Sequence, residues 1–191
     1  GPGSVIYGSD AIGGVMAFRT LSAQFSESDN PDLSGHAVAR YSSANRENSF
    51  HFDVNVGLEK WAFLTSLSFN DYGDLRMGRH GPEEYLRPTY VARQDSLDVV
   101  RDNDDPLIQN PTGYSQMNLM QKVRFRPSED WDLDFGVHYS ETSEFGRYDR
   151  HLQRSNGAPR YGEWSYGPQI WLMNLLKVTH RRSNRLYDAF S

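Results

Sequence analysis

Residues Phe50–Glu59, FHFDVNVGLE, decide the fold. Phe50, Phe52, Val54, Val56 and Leu58 take every even position, and His51, Asp53, Asn55, Gly57 and Glu59 every odd one. Successive side chains of a strand point to opposite faces, so this stretch reads as a strand with one apolar side. The pattern recurs. In Trp131–Ser140, the residues Trp131, Leu133, Phe135, Val137 and Tyr139 oppose Asp132, Asp134, Gly136, His138 and Ser140. Trp61, Phe63, Leu67 and Phe69 form a third apolar face, interrupted at Thr65. Met117, Leu119, Val123 and Phe125 form a fourth, opposed by Gln116, Asn118, Lys122 and Arg124. Weaker strands are expected at Gly35–Ser42 and Trp164–Thr179, and a further one begins at Arg185–Phe190. No helical stripe competes, so the expected class is all-β.

Composition narrows the setting. Mean hydropathy is −0.71, and the longest apolar runs are a few residues, as in Ile170–Met173. That excludes spanning helices, which need about 18 or more apolar residues. It does not exclude spanning strands, which need about 9–11 residues with only alternate ones apolar. Aromatic residues make up 13% of the chain, which suits strands and interfacial girdles. Trp61, Trp131 and Trp164 are expected at strand ends in such a girdle. The absence of cysteine excludes a disulfide scaffold and thiolate metal sites. A net charge of −5 without a basic stripe argues against nucleic acid as a partner.

The connections alternate in length. Glu59-Lys60, Pro127–Asp130 and Arg181–Asn184 are short, whereas Tyr72–Thr112 and Phe145–Glu163 are long. Outer-membrane barrels alternate in this way, with the long loops outside the cell. The polar stretch Leu21–Leu33 reads as a linker on the side of the short turns. So few strands cannot close a plugged transporter barrel, which takes about 22, and an open edge is not viable in lipid. The expectation is therefore a fragment of a larger barrel.

The first twenty residues, GPGSVIYGSDAIGGVMAFRT, set glycine-rich turns between short β-branched runs. This stretch resembles the motif that ends the plug domain of TonB-dependent outer-membrane receptors. Gly1, Pro2, Ser4, Tyr7, Gly8, Ser9, Ile12, Gly13, Gly14 and Val15 match it in order. Gly1–Ser4 alone is also what some tags leave behind, but the match runs unbroken to Val15. The resemblance implies the end of a plug at residues 1–20, a linker at 21–33, and the first strands of an antiparallel up-and-down transmembrane β-barrel at 34–191. It implies uptake of a scarce ligand, an iron-siderophore or haem, across the outer membrane. The ligand is cargo and no resident cofactor is expected. The implied partners are outer-membrane lipid, the small-molecule ligand and the inner-membrane TonB complex, the last reached through an upstream segment. An enzyme is not expected, since no nucleophile elbow, P-loop or paired-carboxylate pattern stands out. The alternative is a soluble β-sandwich binding module with long recognition loops.

Candidate ligand contacts fall in the long loops: His80, Tyr85, Arg87, Tyr90, Arg147, Tyr148 and His151. Imidazole and phenolate both serve as axial ligands of haem iron. The run His80–Tyr90, followed by Asn110-Pro111, loosely resembles the loop motifs of haem receptors, where they lie later in the barrel. Arg147, Arg150, Arg154 and Arg160 supply guanidinia for an anionic ligand. Asp102-Asn103-Asp104-Asp105 offers oxygens to a hard cation but lacks the spacing of an EF-hand, so a solvated acidic loop is the plain reading. No metal site is assigned. On the polar strand faces, His51, Asp53, Lys122, Arg124, Asp132, Asp134 and His138 are expected to face a lumen or plug.

Overall fold

The computed structural model describes residues 18–182 together with residues 16 and 189. The plug-like residues Gly1, Pro2, Ser4, Tyr7, Gly8, Ser9, Ile12, Gly13, Gly14 and Val15 lie outside that set. The strand expected at Arg185–Phe190 does too, apart from Ala189.

The protein is all-β, 58% strand and 4% helix. Six long strands carry it: β1 (Asp32–Ser42), β2 (Glu47–Gly57), β3 (Trp61–Tyr72), β4 (Tyr114–Ser128), β5 (Trp131–Thr142) and β6 (Gln169–His180). They form one antiparallel meander in which every neighbour in space is the neighbour in sequence. Pro127, which has no N–H for the ladder, sits in the irregularity between Phe125 and Ser128 of β4.

Register sorts the side chains into two unlike faces. One row runs Ala37, Phe52, Leu67, Leu119, Tyr139 and Leu172 across all six strands. The row beside it, on the other face, runs His36, Asp53, Ser66, Met120, His138 and Met173. The apolar face is the open one: Phe50, Phe52, Phe69, Leu119 and Phe135 are all more than 40% exposed. The polar face is covered over β2–β5, where Asp53, Asn55, Lys122 and Asp132 are buried, and is open at β1 and β6. The chain's own residues 20–26 cover it as a strap. Ala23 of the strap is buried against Ala62 and Leu64, with Phe25 and Met120 packed alongside, and this cluster is the core.

Strand boundaries and loop lengths differ from expectation in places. β1 starts at Asp32, so the last two residues of the expected linker are already strand. β6 starts at Gln169 rather than Trp164, because Ser165–Tyr166 peels away to pair with Phe145–Gly146. Trp164 therefore sits in a loop and not in a girdle. Trp61 and Trp131 do open β3 and β5, where Trp61 stacks on Phe125 at 4.1 Å and Trp131 meets His180 at 4.4 Å. Alternation of loop length is also incomplete, since β1 and β2 join through residues 43–46 at the long-loop end.

The long loops have their own structure. Thr89–Gln94 and Leu97–Asp102 form a hairpin turned by Asp95 and Ser96, both at positive φ. Arg154–Ser155 and Ala158–Pro159 form another, turned by Asn156-Gly157, the pair that a type I′ turn favours. A helical turn, Tyr148–His151, precedes it.

Candidate functional site

The two long loops meet each other over the end of the sheet. Asp74 anchors the base of the first loop by accepting the Thr112 and Gly113 N–H groups at 2.6 and 2.9 Å. Asn103 braces its middle, donating Nδ2 to the Arg87 and Ile108 carbonyls at 2.9 and 3.0 Å. From there Arg87 reaches the second loop and donates Nε to Tyr148 Oη at 2.6 Å. Burial raises the Tyr148 phenol pKa, and Arg87 opposes that rise. The phenol thus stays protonated at neutral pH.

Behind this contact lies a cavity of about 310 Å³ between the loops. Tyr90 and Arg93 line it from the first loop, His151 and Trp164 from the second. His151 is buried, with Nε2 3.2 Å from the Trp164 carbonyl. A carbonyl only accepts, so Nε2 carries the proton and a neutral ring leaves Nδ1 bare. Nδ1 is buried and has no hydrogen-bond partner among the described residues. Of the expected loop residues, the structure brings together Arg87 with Tyr148, and Tyr90 with His151. His80 and Tyr85 are exposed and outside that cavity. Arg147 grips Asp149 through two bonds of 2.7 Å and lies over the Tyr166 ring. This ion pair drives the Arg147 pKa up and the Asp149 pKa down.

The Asp102–Asp105 run is internally engaged. Asp105 accepts from the Leu107 N–H and pairs with Arg76, which holds its carboxyl below the usual range. Among the described residues no group of three or more histidine or carboxylate side chains is placed to hold a metal ion.

The covered face forms the second cluster. Lys122 donates Nζ to Leu21 O at 2.6 Å and Thr20 Oγ1 at 2.8 Å. Asn55 and Gln24 exchange two bonds of 2.8 and 3.1 Å. Gly57 lies directly beneath the strap, where a Cβ would come within 2.6 Å of Gln24 O. Asp132 takes both Nε and Nη2 of Arg124, at 2.8 and 2.6 Å, and Nη2 of Arg126 at 3.2 Å. Both guanidinia lie over the Phe25 ring. His51 bridges Ser68 and Asp53, and His36 holds the other oxygen of Asp53.

Comparisons with family models, curated proteins and solved structures return no match.

The remaining polar-face residues divide between two spaces. His138 joins His51, Trp171 and the strap residues Arg19–Leu21 around a cavity of about 370 Å³. Asp134 joins Arg124, Asp132 and Lys177 in a smaller polar recess of about 190 Å³. Sequence reasoning missed Asn55, Gln24 and Phe25, whose partners are 31 or more positions away and leave no local signal. It also missed Trp164 as a loop residue, where its ring faces Arg150 and Tyr161.

Proposed function

We propose that this chain is part of a TonB-dependent outer-membrane receptor, comprising the end of its plug and the first strands of its barrel. One observation carries the reading: across its four central strands the sheet leaves its apolar face open and covers its polar one. A water-soluble sandwich does the reverse, burying the apolar faces between its sheets. Lipid is the solvent that suits an exposed apolar face, and a polar interior is what barrels enclose. Six strands of 11–15 residues meet the spanning length. Among the described residues the outer edges of β1 and β6 have no partner strand, and in lipid they pair with further strands, because an unpaired backbone edge is too costly there.

In this reading the long loops face outward and take a small ligand, an iron-siderophore or haem, with Arg87, Tyr90, Tyr148 and His151 at the loop junction. The strap is the link from plug to barrel. The covered face lines the lumen, and the TonB complex supplies the energy that moves the plug. The protein is a transporter and not an enzyme.

Fractionation of cells producing the protein tests this. The expected result is recovery in the outer-membrane fraction with release only by detergent. Recovery as a stable monomer in buffer without detergent overturns it. Fluorescence titration of the purified protein with haem and with ferric siderophores then separates the ligand classes.

A further inference from the structure

Two glycines let the walls of the cavity between the long loops close up. A Cβ at Gly146 would come within 2.5 Å of Pro111 Cγ, and one at Gly162 would overlap the Asp98 carboxylate. Gly146 and Gly162 belong to the second loop, Pro111 and Asp98 to the first. A larger residue at either glycine would push the loops apart, so the space has a defined shape.

Its lining describes its occupant. Val91, Ala92 and Pro111 supply apolar wall, and Tyr90 and Trp164 add aromatic wall. Charge is answered locally. Arg93, which also lines the space, donates Nη1 to Asp98 Oδ1 at 2.9 Å. Glu163 lies at the exposed rim, where its carboxylate repels anions. An anionic ligand therefore finds no unanswered cation in this lining.

One polar atom is left over. His151 is 8% exposed, its Nε2 proton faces the Trp164 carbonyl, and Nδ1 is buried without a hydrogen-bond partner among the described residues. The bare nitrogen of a neutral imidazole only accepts, so the missing partner is a donor. A buried acceptor without a partner is costly, and a ligand that supplies the donor gains over one that only fills space. We propose that this cavity takes an uncharged hydroxyl-bearing ring, a phenol or a sugar unit, whose O–H donates to His151 Nδ1. Aromatic and apolar walls suit a ring face. A volume of about 310 Å³ stands at the lower end for ligand pockets, which is room for one ring of a larger ligand. His151 is then a specificity-determining residue, favouring rings that donate over rings of the same shape that do not. This deepens the reading of the loop junction as the ligand site and rests on it.

The probes are phenol and methyl β-glucoside, each beside a hydroxyl-free counterpart, toluene and tetrahydropyran. The whole receptor that contains this chain is titrated calorimetrically in detergent micelles, and the heats into empty micelles are subtracted. Phenol or the glucoside is expected to bind about tenfold more tightly than its counterpart, the worth of one hydrogen bond. His151→Leu should remove that advantage and leave the counterpart's affinity unchanged. His151→Gln keeps a donor for the Trp164 carbonyl and an acceptor beside it, so it should retain most of the preference. The comparison of each ring with its counterpart needs no variant, so it stands even where His151→Leu fails to fold. Preference for phenol, for the glucoside or for both identifies the source of the ring. Binding of neither hydroxylated ring, equal affinity for ring and counterpart, or a preference that survives His151→Leu would overturn the proposal. Recovery in the outer membrane without ring preference removes this proposal and leaves the receptor reading. Recovery as a soluble monomer removes the receptor reading, and the same titration in buffer still decides on the ring.

Discussion

Asp132 shows how one residue can organise a face. It is buried, and its two oxygens hold Arg124 and Arg126, whose guanidinia in turn lie over the strap's Phe25. Removing one partner of a buried pair leaves the other charge desolvated and uncompensated. Arg124 retains 22% exposure, so the cost is below that of a fully enclosed pair. Asp132→Asn is expected to lower stability by about 2 kcal/mol, read as an earlier midpoint in urea unfolding. Asp105 presents a contrasting case, a half-buried carboxylate whose pKa is depressed first by its hydrogen bond from Arg76. A lowered folded-state pKa means the stabilisation is present above the ordinary carboxylate range and is lost as pH falls through the depressed value. The first long loop should therefore keep its resistance to proteolysis through mildly acidic pH and lose it only under strong acid. Asp105→Asn should remove the pH dependence and loosen the loop at neutral pH, as read by pepsin and trypsin digestion respectively.

At the scale of elements, the strap is the piece whose behaviour is most open to test. Lys122 makes two bonds to it and has no substitute donor at that position. Lys122→Met is expected to free the strap and speed trypsin cleavage after the exposed Arg19 by about tenfold, the effect of losing charge-assisted bonds on a local opening. An unchanged cleavage rate would mean that Ala23, Asn55 and the contacts at Phe25 and Ser26 hold the strap without Lys122. The strap was legible in the sequence only as a polar linker, because its bonds to Asn55 and Lys122 join residues far apart in the chain. Strands β2 to β5 were legible because each has one wet and one apolar face, which writes a period of two into the residues, whereas β1 carries small and polar side chains and was legible only in part. β6 carries apolar side chains on both faces, so its pattern blurred and its start was placed at Trp164. The loop hairpins carry a local signal in Asn156-Gly157 and a weaker one in Asp95-Ser96. The loop junction had none, since Arg87 and Tyr148 are 61 positions apart.

For the whole molecule, the decisive quantity is which face prefers which solvent. Phe52 lies on the apolar face in the row that also holds Leu67 and Leu119, midway along its strand. Ser68 lies on the covered face. If lipid meets the apolar face, Phe52→Lys places a charge in hydrocarbon at a cost of about 2–4 kcal/mol near the midplane. Ser68→Lys instead adds a charge to a polar interior and should cost far less. Folding of the whole receptor that contains this chain into phosphatidylcholine vesicles, titrated with urea, should therefore separate the two variants by at least 1–2 kcal/mol, about one half of that lipid penalty. In a soluble protein the order reverses. Phe52 is 41% exposed, so a lysine there would be nearly neutral in water, within about 0.5 kcal/mol. The same lysine at Ser68 would crowd the hydrogen bond that the hydroxyl makes with His51. The sign of the difference between these two substitutions thus tells membrane from water without reference to any ligand, and it does so on strands whose residues the sequence already marked.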